Sequence, residues 1–311
     1  QMLRSSALKI IRALKIKGGC NVQFALDPKS FQYYLIEVNP RVSRSSALAS
    51  KASGYPIARV SAKIGIGMNL DEIMLANTPA SFEPSLDYVV TKMPRFPFDK
   101  FEDANNRLGT QMKATGEVMS VGRTIEESLL KAVRSLEIGV NHVYMPKFDQ
   151  MTKAELSDYI AKGTDDRLYA IAQLLRLKTP PKEIAKATKI DVFFISKIKH
   201  IIDIEEKLKE NKGDTECLIE AKTFGFSDKA VARLWQTDEL EIYNMRQKKG
   251  IKPVYKMIDS CASEFDSYIP YFYSTYEKQN ESVVSENKKV VVLGSGPIRI
   301  CLLYTSPSPR D

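Results

Sequence analysis

The sequence predicts an α+β region followed by a domain built from helices. Residues 1–141 mix segments of period two with segments of period near 3.6, whereas residues 142–286 show the helical period in short runs. The apolar run Lys288-Lys-Val-Val-Val-Leu293 then enters Gly294-Ser-Gly296, which reads as a buried strand running into a Gly-rich turn and hence as the start of another α/β domain. With 311 residues and 43% apolar content, the chain can bury more than one core.

Taken in order, Leu3, Leu8, Ile11 and Leu14 set a helical pattern at the very start, so Gln1 looks like a cut through a larger protein and the first domain is expected to be incomplete. Positions 21–26 and 33–38 are apolar-rich and are separated by Asp27-Pro28-Lys29-Ser30, a turn signal that makes them an antiparallel hairpin. A helical stretch over about 43–64 is broken at Gly54-Tyr55-Pro56. A strand over 87–93 is expected to stop at Pro94, and 116–121 reads as another strand. Thr124-Ile-Glu-Glu127 is a capping box opening a helix over 125–137. Seven helices follow, over 152–162, 166–177, 181–188, 192–209, 216–223, 228–235 and 239–248, most of them after a Thr, Ser or Asp suited to cap an N-terminus. The polar stretch 277–287 reads as a linker. The tail 301–311 has no apolar period and is read as non-native.

Composition removes several function classes. Cys20, Cys217, Cys261 and Cys301 form no CxxC pair, which argues against a zinc ribbon or a disulfide scaffold. With His142 and His200 the only histidines, a His-built metal site is poorly supplied, so a catalytic metal would have to be held by oxygens. No run of apolar residues is long enough for a membrane span and no secretory signal is visible, which places the expected location in the cytoplasm. The net charge of +8 permits polyanion binding, but solvated lysines on helix surfaces are the favoured source of most of it.

The run that carries chemistry is Gly18-Gly19-Cys20-Asn21-Val22-Gln23-Phe24 together with Glu37-Val38-Asn39-Pro40-Arg41. Strand alternation places Asn21 and Gln23 on one face, and Glu37 and Asn39 on one face of the partner strand. A hairpin centred near Ser30 sets Gln23 opposite Glu37. Carboxylate and amide oxygens suit a hard divalent cation that keeps phosphate oxygens as further ligands, and Arg41 and Arg44 just beyond could hold phosphate or a carboxylate-like group. Spacing alone does not separate this from an ordinary solvated strand face.

At these residues the sequence resembles the metal-binding signature of ATP-grasp ligases, Glu-x-Asn-Pro-Arg at a strand end. The extension Arg41-Val-Ser-Arg-Ser-Ser-Ala-Leu-Ala-Ser-Lys51 is similar to carbamoyl phosphate synthetase large subunits, whereas biotin carboxylases depart after the first arginine. The blocks from Thr78 to Arg95, Gln111 to Met119, Pro253 to Asp259, Tyr273 to Glu277 and Gly294 to Arg299 continue the resemblance in order. It implies the C-terminal part of a first, carboxyphosphate-forming ATP-grasp domain over 1–141. An all-helical oligomerisation domain over 142–286 and the first strand of a second α/β half over 287–300 would follow. The implied chemistry is ATP-dependent synthesis of carbamoyl phosphate from bicarbonate and ammonia, for arginine and pyrimidine biosynthesis. A small glutaminase subunit would supply the ammonia, and the assembly would be a homo-oligomer of such heterodimers. By position, Gln23 and Glu37 resemble ligands of ATP and of a first Mg²⁺ or Mn²⁺, Asn39 and Glu37 of a second, and Arg41 and Arg44 catalytic arginines. Because the chain departs from the family at both ends, activity of this stretch alone is not expected.

The rival readings are a biotin carboxylase-like ligase and a non-catalytic helical protein for assembly or nucleic-acid binding. The second is motivated by the span 226–249, which scans like a helix-turn-helix. Asp228, Asp238, Glu239 and Glu241 are interleaved there and would repel phosphates, so neither nucleic acid nor membrane is an expected partner.

Overall fold

A computed structural model describes residues 1–291 except positions 28, 77, 99, 102, 263 and 265–270. Of the buried strand expected from Lys288, residues 288–291 are described and are neither strand nor buried, with Val290 and Val291 exposed, which corrects that expectation for them; residues 292–293, the expected Gly-rich turn and the tail 301–311 lie outside the described residues. Contacts divide the chain into two compact units, one of Gln1–Asp87 with Met257–Phe272 and one of Tyr88–Lys256 with the residues from Tyr273 onward.

In the first unit, α1 (Met2–Ala13) is followed by the antiparallel pair β1 (Asn21–Leu26) and β2 (Tyr33–Asn39), then α2 (Arg44–Ser53) and α3 (Ile57–Gly65). Gly54, at φ 71°, takes the left-handed conformation that ends α2, and Pro56 starts α3, which is the break expected at Gly54-Tyr55-Pro56. Val60, Ile73 and Ala80 form a small core against Tyr55 and Ile64, and the Tyr55 hydroxyl donates to the Ala80 carbonyl at 2.6 Å. The hairpin leaves Tyr34, Leu35 and Ile36 exposed on β2.

The second unit opens with the antiparallel pair β3 (Val89–Arg95) and β4 (Gly116–Gly122), onto which α4 (Ile125–Ser135) packs. β3 does not stop at Pro94, which pairs with Glu117. Among the described residues β4 is the one partner of the strand, so a missing N–H on its other edge breaks no ladder bond there. After a 3₁₀ turn at Pro146–Phe148 come α5 (Lys153–Ala161), α6 (Arg167–Arg176), α7 (Pro181–Thr188), α8 (Val192–Glu210), α9 (Thr215–Thr223), α10 (Asp228–Trp235) and α11 (Glu239–Lys248). The nineteen-residue α8 is the central rod, in contact with α4, α6, α7, α9 and α10, and it buries Ile195, Ile198, Ile201, Ile202 and Leu208. Trp235 is buried in the same core and donates its indole N–H to the Leu208 carbonyl at 2.8 Å.

Two expectations need correction here. The region after 142 is not purely helical, because β5 (Val254–Met257) and β6 (Phe272–Thr275) form a third two-stranded sheet. They are four residues each, too short for alternation to announce them. The box at Thr124 is half made. Thr124 accepts from Glu127 N at 3.1 Å, but the Glu127 carboxylate turns to Arg123 N at 2.7 Å and to Lys131 and Thr275. Thus α+β describes the chain, with the helices concentrated after residue 122.

Candidate functional site

The site expected from the hairpin is built by register. β1 and β2 pair Asn21 with Asn39 and Gln23 with Glu37, so alternation carries all four side chains to one face. The register shifts after Gln23, where Phe24 pairs with Leu35 and β2 holds one extra residue. Such a bulge lets the two ends of a hairpin aim their side chains independently. At its start β1 is held by a close approach. Gly18 sits at φ 94°, and a Cβ on Gly19 would come within 2.8 Å of Ser61 Oγ on α3. A larger residue would push the start of the strand away.

Glu37 is the centre of the cluster. Its Oε1 accepts from Gln23 Nε2 and from Asn39 Nδ2, each at 2.8 Å. A carboxylate with no other cation beside it draws the donor ends of neighbouring amides toward itself, as it does here. Asn21 was not singled out from sequence beyond its sharing a face with Gln23. Its Oδ1 is buried without a hydrogen-bond partner. A buried acceptor left unpaired is costly, and an orphan beside a carboxylate and two further amides is the signature of a place that takes a cation. The donor set is entirely of hard oxygens, which fits Mg²⁺ or Mn²⁺ and not a thiolate-seeking metal. Among the described residues no three His, Cys, Asp or Glu converge as a metal group, so any cation at this hairpin would rest on one carboxylate and amides.

Arg41 and Arg44 follow directly. Arg41 N donates to the Asn39 carbonyl at 2.8 Å in a tight turn, and Arg44 is the first residue of α2; both side chains are exposed. Neither guanidinium group is hydrogen-bonded to the side chains of Gln23, Glu37 or Asn39; the one link is the backbone bond from Arg41 to Asn39. Ser43 caps α2 through the backbone and hydroxyl of Ser46. A cation in the first turn opposes the positive end of the helix dipole, and this helix has no acidic residue there to offset it. An anion arriving at this end would remove that conflict. Cys20, beside the cluster, has its thiol pushed up by burial, so it is not a poised thiolate.

Two family models match the chain. Residues 1–73 match the ATP-binding domain of the carbamoyl-phosphate synthase L chain, and residues 117–250 match the oligomerisation domain of the carbamoyl-phosphate synthetase large chain. The first span contains the whole hairpin cluster with both arginines, and the second runs from β4 to the end of α11. The class so defined is a multidomain chain that joins an ATP-binding domain to a helical oligomerisation domain. The chain belongs to the carbamoyl-phosphate synthetase large-chain family. Among the described residues, no helix is long and apolar enough to cross a membrane.

Proposed function

We propose that this chain supplies part of the active site of a glutamine-dependent carbamoyl phosphate synthetase. The reaction joins bicarbonate, ammonia and two ATP by way of carboxyphosphate and carbamate, in service of arginine and pyrimidine biosynthesis in the cytoplasm. In this reading residues 1–141 end the first ATP-grasp domain, 142–286 build the oligomer and 287–300 begin a second half. The exposed apolar stretch Tyr34–Ile36 of β2 is then surface for the remainder of the ATP-grasp domain to cover. A small glutaminase subunit delivers ammonia, and the large chains associate as a homo-oligomer of heterodimers.

The observation that carries the reading is the Glu37 carboxylate held between two amides, with the buried, unpartnered Asn21 Oδ1 on the same face. Gln23 and Glu37 hold ATP and one Mg²⁺ or Mn²⁺, while Glu37 and Asn39 hold a second. When bound, such an ion neutralises phosphate charge as the phosphoryl group moves. Arg41 and Arg44 orient the anionic oxygens of phosphate and bicarbonate by forked hydrogen bonds at the start of α2. No covalent nucleophile is required, because positioning and charge neutralisation account for phosphoryl transfer.

Glu37→Gln in the complete large chain, assayed with the small subunit, tests this. Glu37 is exposed and the change keeps its shape, so the thermal midpoint should stay where it is. Bicarbonate-dependent ATP hydrolysis should fall by about 100-fold or more. Hydrolysis at the parent rate would remove Glu37, and the hairpin site with it, from the mechanism.

A further inference from the structure

The helices of the second unit leave two apolar patches uncovered, and the patches carry opposite charge. The first is the start of α8. Phe193 and Phe194 are 50% and 53% exposed beside exposed Val192, and their rings meet edge to face at 5.3 Å. Ile198 and Ile201, four and seven residues past Phe194 on the same stripe of the helix, are buried. Among the described residues, the core-facing stripe of α8 thus outruns the body that covers it. The rim is basic. Lys182, Lys186 and Lys189, on α7 and at its end, are exposed. Lys197, 3.4 Å from the buried Glu126 carboxylate, lies 5.7 Å from the centre of the Phe193 ring. The exposed acids here are Glu183 and Asp191, and Asp191 is engaged as the cap of α8, accepting from Phe193 N at 2.8 Å.

The second patch is the start of α11. Leu240 is 62% exposed, and Tyr243, three residues on, is exposed as well. Asp238, Glu239 and Glu241 surround them, all exposed, with no basic residue between 238 and 243. Asp238 caps the helix through Leu240 N at 2.7 Å, and Glu241 accepts from the Thr237 hydroxyl. Lys212, just past the end of α8, donates to Gln236 Oε1 at 3.0 Å, so the acidic patch lies beside the C-terminal end of α8. The basic patch is at the other end of the same nineteen-residue rod, about 27 Å away along its axis.

At that separation the two patches cannot cover each other within one chain. Two copies meeting through like patches would set lysine against lysine or carboxylate against carboxylate, which costs affinity. Opposite patches of two copies bury both apolar surfaces and balance both charges. Residues 117–250, which hold both patches, match a family model of an oligomerisation domain. We propose that the start of α11 in one copy docks on the start of α8 in a second copy of this chain. Leu240 and Tyr243 then pack on Phe193 and Phe194, and Glu239 and Glu241 face Lys186 and Lys189. The contact rests on the reading of 142–286 as the part that builds the oligomer, and it names the surface used.

Sedimentation velocity on the 311-residue chain and on two charge-reversed variants tests the proposal. One variant carries Lys186→Glu with Lys189→Glu, the other Glu239→Lys with Glu241→Lys, while the capping residues Asp191 and Asp238 stay in place. The parent should self-associate, and each variant alone should do so at least about tenfold more weakly. An equimolar mixture of the two variants should regain the parent's association, because acidic patches then meet basic ones again. A variant weakened only by misfolding gains nothing from such mixing. Phe194→Ser should weaken association in the parent background. If the parent associates and both variants do so equally well, or if their mixture regains nothing, this surface is overturned and the oligomer reading stands. A parent that remains monomeric at about 100 μM overturns both.

Discussion

Glu205 is 1% exposed, and its carboxylate accepts from His142 Nε2 at 2.7 Å and from Arg176 at 2.9 Å through Nε and 2.5 Å through Nη2. Burial alone would raise this carboxyl, but the hydrogen bonds of Arg176 and His142 outweigh it and hold it well below the usual carboxylate range. His142 is pushed down, first by burial and then by the nearby guanidinium groups of Arg176 and Arg233, against the pull of Glu205. Both groups bind fewer protons folded than unfolded, so both make stability rise with pH. The contribution is complete above the ordinary histidine value of 6.5. It shrinks as pH falls below that value, and shrinks again below the ordinary glutamate value of 4.5. Glu205→Gln strands Arg176 and should cost about 3–5 kcal/mol at neutral pH while erasing the lower acid step. Denaturant titrations followed by Trp235 fluorescence at several pH values check this, and a variant as stable as the parent refutes it. From sequence this group was invisible, since its partners lie 63 and 29 residues away. Gln23, Glu37 and Asn39 were visible, because alternation and one short turn suffice to bring them together.

Helix starts follow from local chemistry. Thr152, Asp191, Asp214, Ser227 and Asp238 each accept from a backbone N–H of the first turn, as their side chains dispose them to do. Each such bond spans two or three residues, which is why these elements could be read without tertiary knowledge. The turn between α9 and α10 obeys a different constraint. Gly225 sits at φ 89°, and a Cβ there would meet Glu127 Cα at 2.7 Å and Glu127 O at 3.0 Å, backbone atoms of α4 that cannot swing aside. Its carbonyl also accepts from Arg134 Nη1 at 2.7 Å. Gly225→Ala should therefore destabilise the second unit by about 2 kcal/mol or more, through strain at positive φ and the overlap with α4. A urea midpoint equal to that of the parent would show that α4 yields. The sequence offered a Gly between two helices, but not the helix that requires it.

Over the whole molecule, a net charge of +8 leaves open whether the helical unit meets nucleic acid. The stretch that scans like helix-turn-helix is α10 and α11, where Lys229, Arg233, Lys248 and Lys249 are exposed but so are Asp238, Glu239 and Glu241, while Arg246 there and Lys222 on α9 are spent internally. Arg246 is 7% exposed, donating to Asp228 at 2.8 and 2.6 Å and to the Ile251 carbonyl at 3.1 Å. Lys222 is buried on Asp228 and on the Phe226 carbonyl. Fluorescence anisotropy with a duplex oligonucleotide should show no binding at physiological salt, and a steep salt-dependent affinity would reopen that reading.

By itself the sequence determined the α+β character, the run of capped helices and the oxygen-rich hairpin motif of an ATP-binding domain. Periods, caps and turns act over a few residues, and a local chain segment contains all of their causes. The tertiary structure decided the rest. It set the orphaned Asn21 oxygen on the face of Glu37 and extended β3 through Pro94 on an unpartnered edge. It also drew Glu127 away from its cap and enclosed the Glu205 network. Each of these depends on burial or on partners distant in the chain, and the strength of a charge or a hydrogen bond is set by the water that folding removes from it.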